Sequence, residues 1–263
     1  MKILVLNPKG GAGKSTTAIQ LIAPYIYHYT KKKVPYFEFD LHNDDINAFK
    51  KSKIIEPHLY QSEKEIPTLL DDLEFSEDAI VDVGGNQSTN ILLNNFAWTE
   101  TLGNFHLIVC PFGDSDLDMT GALEMYQLLK KDWDFNFLSV LCRAQNLDDD
   151  VIHDQFFNFF GDTQHLIDGR EGFIEKFDES DRSFVTIPVE KSLVMSRAFG
   201  QTVYEIGKKS REQFKTAKEQ AQKDHDKEEF IKQNKILRFH EYCGFFTEQV
   251  IEPAFNVIDN LMK

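Results

Sequence analysis

Short apolar runs alternate with amphipathic segments along most of the chain. The runs that predict buried strands are residues 3–6, 34–39, 79–83, 105–110, 135–142 and 183–188. Between them lie patterns of helical period, the clearest at 14–29 and 116–131. This alternation predicts a three-layer, doubly wound α/β fold, in which helices cover both faces of a mainly parallel sheet. Polar chemistry is then expected where strands end and helices begin.

The last quarter of the sequence has a different pattern. Residues 207–240 contain ten Lys or Arg and six Asp or Glu, a net charge of +4 by subtraction, and few apolar positions. That pattern predicts one long, polar helix, either packed on the domain or projecting from it, followed by an amphipathic stretch at 242–262. We therefore expect an α/β domain at 1–207 and a helical extension at 208–263.

Composition narrows the class of protein. The chain has 263 residues, a net charge of −14 and three widely spaced cysteines. Such an acidic surface argues against a protein that coats nucleic acid, although one local basic patch remains open. The cysteine spacing disfavours a disulfide framework or a thiolate zinc site. No apolar run suggests a signal peptide or a membrane span, so a cytoplasmic protein without membrane contact is expected.

A glycine-rich loop follows the first predicted strand and precedes a predicted helix. In such a loop, backbone N–H groups can surround phosphate oxygens, and the helix N-terminus adds positive partial charge. Lys14 would neutralise the β- and γ-phosphates of ATP, and the Ser15 hydroxyl would bind Mg²⁺. The alternative is a turn that binds nothing. The predicted nucleotide-binding residues of this segment are Lys9, Gly10, Gly11, Ala12, Gly13, Lys14, Ser15 and Thr16.

Two carboxylates stand at the ends of predicted strands. Asp40 follows the second strand, and Asp82 lies near the end of the third. Phosphoryl transfer depends on positioning and charge neutralisation, so these groups could orient water or hold Mg²⁺. Each could instead be only structural.

The segment from Lys9 to Thr16 resembles the deviant Walker A motif of the ParA/MinD family of ATPases, with Pro8 at the first glycine position. The resemblance implies ATP and Mg²⁺ as ligands and ATP hydrolysis. It also implies that Lys9 reaches across a homodimer interface to the partner's nucleotide. A solvated loop lysine is the plainer alternative for Lys9.

Further segments extend the resemblance over residues 1–207. Asp40 matches the second aspartate of an Asp-x-Asp motif, which positions the attacking water, with Glu38 at the first position. Asp82 matches an aspartate that holds Mg²⁺ through water, and Asp40 is a further possible metal contact. Pro188 matches a segment that lines the adenine. Arg143 follows Cys142, where the family often has asparagine, and could stack on the base or be structural. The segments 110–118 and 198–205 also match.

Three functional readings remain open. The leading one is a small ParA-type ATPase for plasmid or chromosome partitioning, with a ParB-like adaptor and non-specific DNA as partners. The second is an accessory or positioning ATPase that binds a protein. The third is a nucleotide-binding scaffold with little hydrolysis. The acidic chain favours a protein partner, whereas a predicted basic stripe favours DNA; an ordinary solvated face is the alternative for this stripe. The stripe consists of Lys208, Arg211, Lys215 and Lys218.

Overall fold

A seven-stranded sheet, all of it parallel, forms the centre of the molecule. The computed structural model describes residues 1–85, 87–162 and 170–263, and the side chains of 116–118 lie outside that description. The spatial order of the strands is β3-β2-β4-β1-β5-β6-β7. The strands are β1 Lys2–Val5, β2 Val34–Phe39, β3 Ile55–Tyr60, β4 Ala79–Val83, β5 Leu107–Phe112, β6 Asn136–Ala144 and β7 Phe184–Pro188.

Helices connect the strands and form the C-terminal region. The α-helices are α1 Lys14–Thr17, α2 Ala23–Thr30, α3 Ile66–Phe75, α4 Gln87–Trp98, α5 Asp116–Asp132, α6 Asp149–Gln155, α7 Phe157–Phe160, α8 Lys191–Phe199, α9 Val203–Gly207, α10 Arg211–Lys223, α11 Lys227–Phe246 and α12 Glu252–Leu261. Two π-helical stretches, Ala18–Ile22 and Thr247–Ile251, join α1 to α2 and α11 to α12. Among the described residues, none of the helices combines the length and the apolar sequence that a membrane span requires.

Each face of the sheet carries its own apolar core, and this confirms the predicted fold class. On one face, Ile3 and Val5 of β1 pack with Ile22 and with Phe255 of the C-terminal helix α12. On the other face, Leu4 of β1 packs with residues of α3, α4 and α5. Because β1 is covered on both sides, its four residues are an almost continuous apolar run rather than an alternating one.

The strand prediction missed β3. Six strands form near their predicted positions: β2 and β4 have the predicted ends, and the ends of the other four differ by at most two residues. β3 has the sequence Ile-Glu-Pro-His-Leu-Tyr and stands at one end of the strand order, beside β2, so it is an edge strand. Its exposed Glu56 and its Pro57, which cannot donate to a ladder, remove the apolar signal of a buried strand.

The prediction of one long helix at 207–240 is wrong. The segment contains α10 and α11, which pack against each other as a hairpin. The turn between them has His225 in the left-handed region, with φ of 55°, and Asp226 caps α11 by accepting a hydrogen bond from the Glu229 N–H. The chain therefore reverses at 224–226. Helix α11 then continues past Tyr242, where the prediction placed a change, and Phe246 is buried in the core.

A close backbone contact joins α9 to α11. A Cβ placed on Gly207 would lie 2.7 Å from the carbonyl oxygen of Cys243, which belongs to a rigid helix backbone. A Cβ on the neighbouring Gly244 would meet nothing nearer than 3.9 Å. Only Gly207 is therefore needed as glycine for the two helices to approach each other.

This contact predicts opposite effects for two identical substitutions. Gly207→Ala should lower the free energy of unfolding by about 1–3 kcal/mol, because the packed backbones must separate. Gly244→Ala should leave it unchanged or raise it by up to about 1 kcal/mol, because alanine is the better helix former. Urea denaturation of both variants measures the difference. Equal destabilisation by the two substitutions would contradict the contact.

Candidate functional site

The loop between β1 and α1 is anchored to the neighbouring strand by a single side chain. Asn7 is fully buried, and its Nδ2 donates to the carbonyl oxygen of Pro111 on β5 at 2.7 Å. Its Oδ1 accepts a hydrogen bond from the backbone N–H of Lys9 at 2.8 Å. Both polar atoms of the Asn7 amide thus make hydrogen bonds that fix the position at which the loop leaves the sheet.

Glycine is required where the loop enters α1. Gly13 has φ of 101°, and a Cβ there would lie 2.6 Å from the Sγ of Cys142 on β6. Cys142 is itself buried and lies 3.5 Å from the hydroxyl of Thr17. The loop therefore rests directly on the end of β6, and the first N–H groups of the helical run 14–30 face the space in front of it.

The two lysines of the loop are placed differently. Lys14 is buried, and its Nζ donates to the carbonyl oxygen of Lys9 at 2.8 Å, so its ammonium group lies against the loop backbone. Lys9 is exposed. Among the described residues, its side chain makes no hydrogen bond or ion pair.

Asp82 is a buried carboxylate with only one of its oxygens paired. The Tyr36 hydroxyl donates to Oδ2 at 2.7 Å, whereas Oδ1 has no hydrogen-bond partner of normal geometry in the described part of the chain. Burial raises the pKa of Asp82 to about 6, although the Tyr36 and Ser15 hydroxyls and the Lys14 ammonium oppose the shift. A buried acceptor without a partner is costly, so this oxygen is suited to an additional polar ligand.

Asp40 follows the adjacent strand β2 and lies at the level of Gly84, one step beyond the pairing of Phe39 with Val83. Its Oδ1 accepts from the backbone N–H of His42 at 2.9 Å, and its Oδ2 accepts from the Asn43 side chain at 2.9 Å. A Cβ on Gly84, the second residue after Asp82, would lie 2.5 Å from Asp40 Cγ. Glycine at 84 therefore allows the Asp40 carboxylate to occupy this position.

Glu38 acts on the loop that follows β2. Its two carboxylate oxygens accept from the backbone N–H groups of Asp45, at 3.1 Å, and Ile46, at 3.0 Å. Burial raises the pKa of Glu38 to about 7; the Ile46 N–H opposes this, and the charges of Asp82 and Asp45 add to it. Glutamate is one methylene longer than aspartate, and at position 38 it reaches the backbone of Asp45, seven residues further along the chain.

Two cavities meet in front of the loop. The first, of about 220 Å³, is lined by the glycine loop together with Glu38, Asp40 and Asp82. The second, of about 460 Å³, has mainly apolar walls. Its apolar lining residues are Ile19, Phe49, Ile187, Pro188, Leu193 and Val194. We call the first the phosphate cavity and the second the base cavity. The two cavities share five lining residues, Gly13, Ser15, Thr16, Asp45 and Arg143.

The residues expected near the base lie beside the second cavity. Pro188 ends β7 and lines it. Arg143 has φ of 64°, and its Nη2 donates to the carbonyl oxygen of Gly11 at 2.7 Å. Its guanidinium is therefore held over the glycine-rich loop. Cys142 lines the base cavity, but its burial beneath Gly13 makes it a packing residue.

The predicted basic stripe lies on two elements and is partly paired. Lys208 lies in the turn after α9 and forms an ion pair with Glu252 at 2.5 Å, so it is not on the same helix as the others. Arg211 pairs with Glu241 at 2.7 Å, and Lys215 approaches Glu219 at 4.0 Å. The Lys218 ammonium lies 5.4 Å from the centre of the Phe230 ring.

Several residues of this region were missed by the sequence reasoning. Asn7 and Tyr36 belong to segments that the pattern assigns to loop and core, and nothing local shows which atoms they meet. Asp45 and Arg197 form an ion pair at 2.6 Å across 152 positions of sequence. Only the proximity of Asp45 to Asp40 along the chain could have suggested it.

The site is suited to Mg²⁺ held jointly with a ligand. No group of three or more His, Cys, Asp or Glu side chains among the described residues is arranged to hold a metal ion alone. Mg²⁺ usually keeps several waters and takes one or two protein ligands together with substrate phosphates. The unpaired Asp82 oxygen and the nearby Ser15 hydroxyl fit that mode of binding.

Comparison with known proteins gives structural neighbours only. No family model and no curated protein matches the sequence. Solved structures with similar folds include MinD from Aquifex aeolicus, with 14% identity, a TM-score of 0.47 and coverage of 78% of this chain and 88% of that one. The chain resembles ParA/MinD ATPases.

Two other neighbours extend the comparison. MinD from Pyrococcus horikoshii, complexed with Mg-ADP, has 13% identity and a TM-score of 0.45 over 78% of this chain and 87% of that one. A ParA family ATPase from Chlorobium tepidum has 16% identity and a TM-score of 0.44 over 80% and 92%. Identity at this level does not transfer an activity, so the function proposed below rests on the residues of the site.

The environment of Glu38 predicts a pH dependence of stability. Because its pKa is raised in the folded state, the folded protein binds the proton more tightly than the unfolded chain does. The stabilisation is then complete below the unfolded pKa, near 4.5, and is lost as pH rises through about 7.

We expect Glu38→Gln to flatten this decline, by on the order of 3 kcal/mol between the two limits. Urea denaturation without nucleotide and in EDTA, repeated from pH 4.5 to 8, measures it, and the exposed Glu74→Gln is the control. The prediction fails if Glu38→Gln has the same pH dependence as the unaltered protein.

Proposed function

We propose that this protein is a ParA-like, Mg²⁺-dependent ATPase that uses ATP binding as a switch. One observation carries the proposal: the unpaired oxygen of the buried Asp82 lies where a glycine loop, Lys14 and Ser15 line one cavity, and this cavity meets a second, apolar one. Such a pair of cavities matches a ligand with a charged end and a flat, apolar end, as in a nucleoside triphosphate.

The loop supplies charge neutralisation for the phosphates. The N–H groups at the start of α1 offer donors to phosphate oxygens, and the helix dipole adds to their effect. Lys14 would exchange its contact with the Lys9 carbonyl for the β- and γ-phosphates, a charged partner that gives a stronger hydrogen bond. The exchange moves only the end of a side chain that is already in the cavity.

Mg²⁺, when bound, would neutralise the charge that develops on the transferred phosphoryl group. The Ser15 hydroxyl would be its direct protein ligand, and Asp82 would accept a hydrogen bond from one of its waters. Ionised Asp82 is the form that this role needs. Its raised pKa, about 6, still leaves it ionised near neutral pH.

Asp40 would hold the attacking water. Its carboxylate is fixed by the His42 N–H and the Asn43 amide, and it lines the phosphate cavity. A carboxylate fixed in this way accepts a hydrogen bond from water without a further change of side-chain position, which is the contribution that positioning makes to phosphoryl transfer.

The resemblance assigns Lys9 to a partner's nucleotide in an ATP-bound homodimer. The exposed position of its side chain at the edge of the loop supports this role. Dimerisation would then couple ATP binding to recognition of a further partner, which is the basis of a switch.

For the cargo, partitioning of DNA and positioning through a protein partner are the two candidates. The ion pairs of Lys208 and Arg211 with Glu252 and Glu241 reduce the charge that these residues offer to phosphates. This pairing, in a chain of net charge −14, favours the protein partner. DNA partitioning stays the alternative, and binding to DNA at low salt by the ATP-bound dimer would restore it.

Two lysine substitutions in one loop separate the proposed roles. Lys14→Ala should weaken ATP binding on the order of a hundredfold, because it removes the cation facing the phosphates. Lys9→Ala should bind ATP as the unaltered protein does, yet fail to hydrolyse it. Calorimetric titration measures the first effect, and phosphate release measures the second.

Asp40→Ala completes the set, because it should bind ATP and persist as a dimer in size-exclusion chromatography. Undiminished ATP affinity in Lys14→Ala would refute nucleotide binding at this loop. Normal hydrolysis by Lys9→Ala would instead remove only the role across the dimer.

A further inference from the structure

Asp45 occupies the boundary between the two cavities. It lines both the phosphate cavity and the base cavity, and it lies on a different chain segment from the other boundary residues of the loop, Gly13, Ser15 and Thr16. In a nucleotide the ribose joins the base to the phosphates. A side chain at this boundary therefore faces the sugar of a ligand that fills both cavities.

The backbone at Asp45 is held by hydrogen bonds to the Glu38 carboxylate. Its N–H donates to the buried Glu38 carboxylate, and so does the N–H of Ile46. Two hydrogen bonds to one buried group prevent this turn from shifting along the strand end. The Asp45 side chain consequently leaves the backbone at a defined place.

The side chain of Asp45 is held by an ion pair with a residue of α8. Arg197 on α8 pairs through Nη1 with Asp45 Oδ1 at 2.6 Å, and Arg197 lines the base cavity as well. Among the described residues, Asp45 Oδ2 makes no hydrogen bond or ion pair. A carboxylate oxygen that is held in place, partly exposed and without a donor is a ready acceptor for a hydroxyl group.

We propose that Asp45 recognises the ribose of the bound nucleotide, with Oδ2 accepting a hydrogen bond from a 2′- or 3′-hydroxyl. This inference rests on the proposed function and assigns the sugar specificity of the same site. Arg197 is the positioning residue. It orients the carboxylate and neutralises a negative charge that would otherwise repel the triphosphate.

The geometry also explains why a carboxylate is tolerated beside a phosphate site. Asp45 adds negative charge close to Asp82 and Glu38, and its charge raises the pKa of both. A residue that only closed the cleft would need no charge. Pairing with Arg197 keeps one oxygen neutralised and leaves the other for the ligand.

The test compares ATP with 2′-deoxy-ATP and 3′-deoxy-ATP in calorimetric titrations of the full chain with Mg²⁺. The unaltered protein should bind ATP about tenfold more tightly than at least one analogue, because one charge-assisted hydrogen bond is lost. Asp45→Ala should bind ATP and that analogue with equal affinity. Asp44→Ala, which removes the adjacent exposed carboxylate, should keep the preference.

Arg197→Ala provides a readout that a purely structural role would not change. Arg197→Ala should lower the affinity for ATP more than the affinity for adenosine, because the unneutralised Asp45 repels phosphates. The double variant Arg197→Ala, Asp45→Ala should regain ATP affinity. The proposal is overturned if the unaltered protein binds all three nucleotides equally, or if Asp45→Ala keeps the preference. Failure of every nucleotide to bind would instead refute the proposed function.

Discussion

The buried carboxylate of Asp82 is the constraint on which the rest of the site depends. A charge at the end of a central strand is costly unless its oxygens find partners, and within the described part of the chain only Tyr36 provides a full hydrogen bond. Tyr36 lies on the neighbouring strand β2, so the pair fixes β2 against β4 at the level of the phosphate cavity. The other oxygen has no hydrogen-bond partner among the described residues, and the proposed function assigns it to a water of a hydrated cation.

A second set of contacts joins the strand ends to the C-terminal half of the molecule. Glu38 holds the turn at Asp45 and Ile46, and Asp45 pairs with Arg197 on α8. The loop that follows Asp40 is therefore connected to the helix that lines the base cavity. A ligand that displaces this loop would also change the position of α8. On the proposed function, this chain of contacts would connect the loop after Asp40 to α8 at the base cavity.

Much of the fold could be predicted from residue patterns because buried parallel strands need continuous apolar runs, and six of the seven have them. The edge strand β3 could not, since Glu56, Pro57 and His58 belong to a strand that is only half covered. The helical hairpin was missed because a polar helix and a polar turn have nearly the same composition around His225.

Some residues of the candidate site could likewise be predicted from the sequence, and others could not. Lys14, Ser15 and Asp82 could be proposed because glycine spacing and strand ends are local features of the sequence. The partners that fix the site are distant in sequence: Asn7 meets Pro111, Gly13 meets Cys142, and Asp45 meets Arg197. Those pairs exist only after the sheet has formed, so no local pattern contains them. Glu38 illustrates the limit, because the resemblance matched it only to the first position of the Asp-x-Asp motif, and that match did not show that its carboxylate holds a backbone turn.

The most direct test of the central claim is the Mg²⁺ dependence of ATP affinity in the unaltered protein and in Asp82→Asn. Calorimetric titrations with ATP would be made once with Mg²⁺ and once with EDTA. If the unpaired oxygen of Asp82 serves a magnesium-bound water, Mg²⁺ should strengthen ATP binding in the unaltered protein. Asp82→Asn should lose most of that gain while it keeps its affinity in EDTA. An ATP affinity that is independent of Mg²⁺, or an equal Mg²⁺ effect in both proteins, would contradict the account.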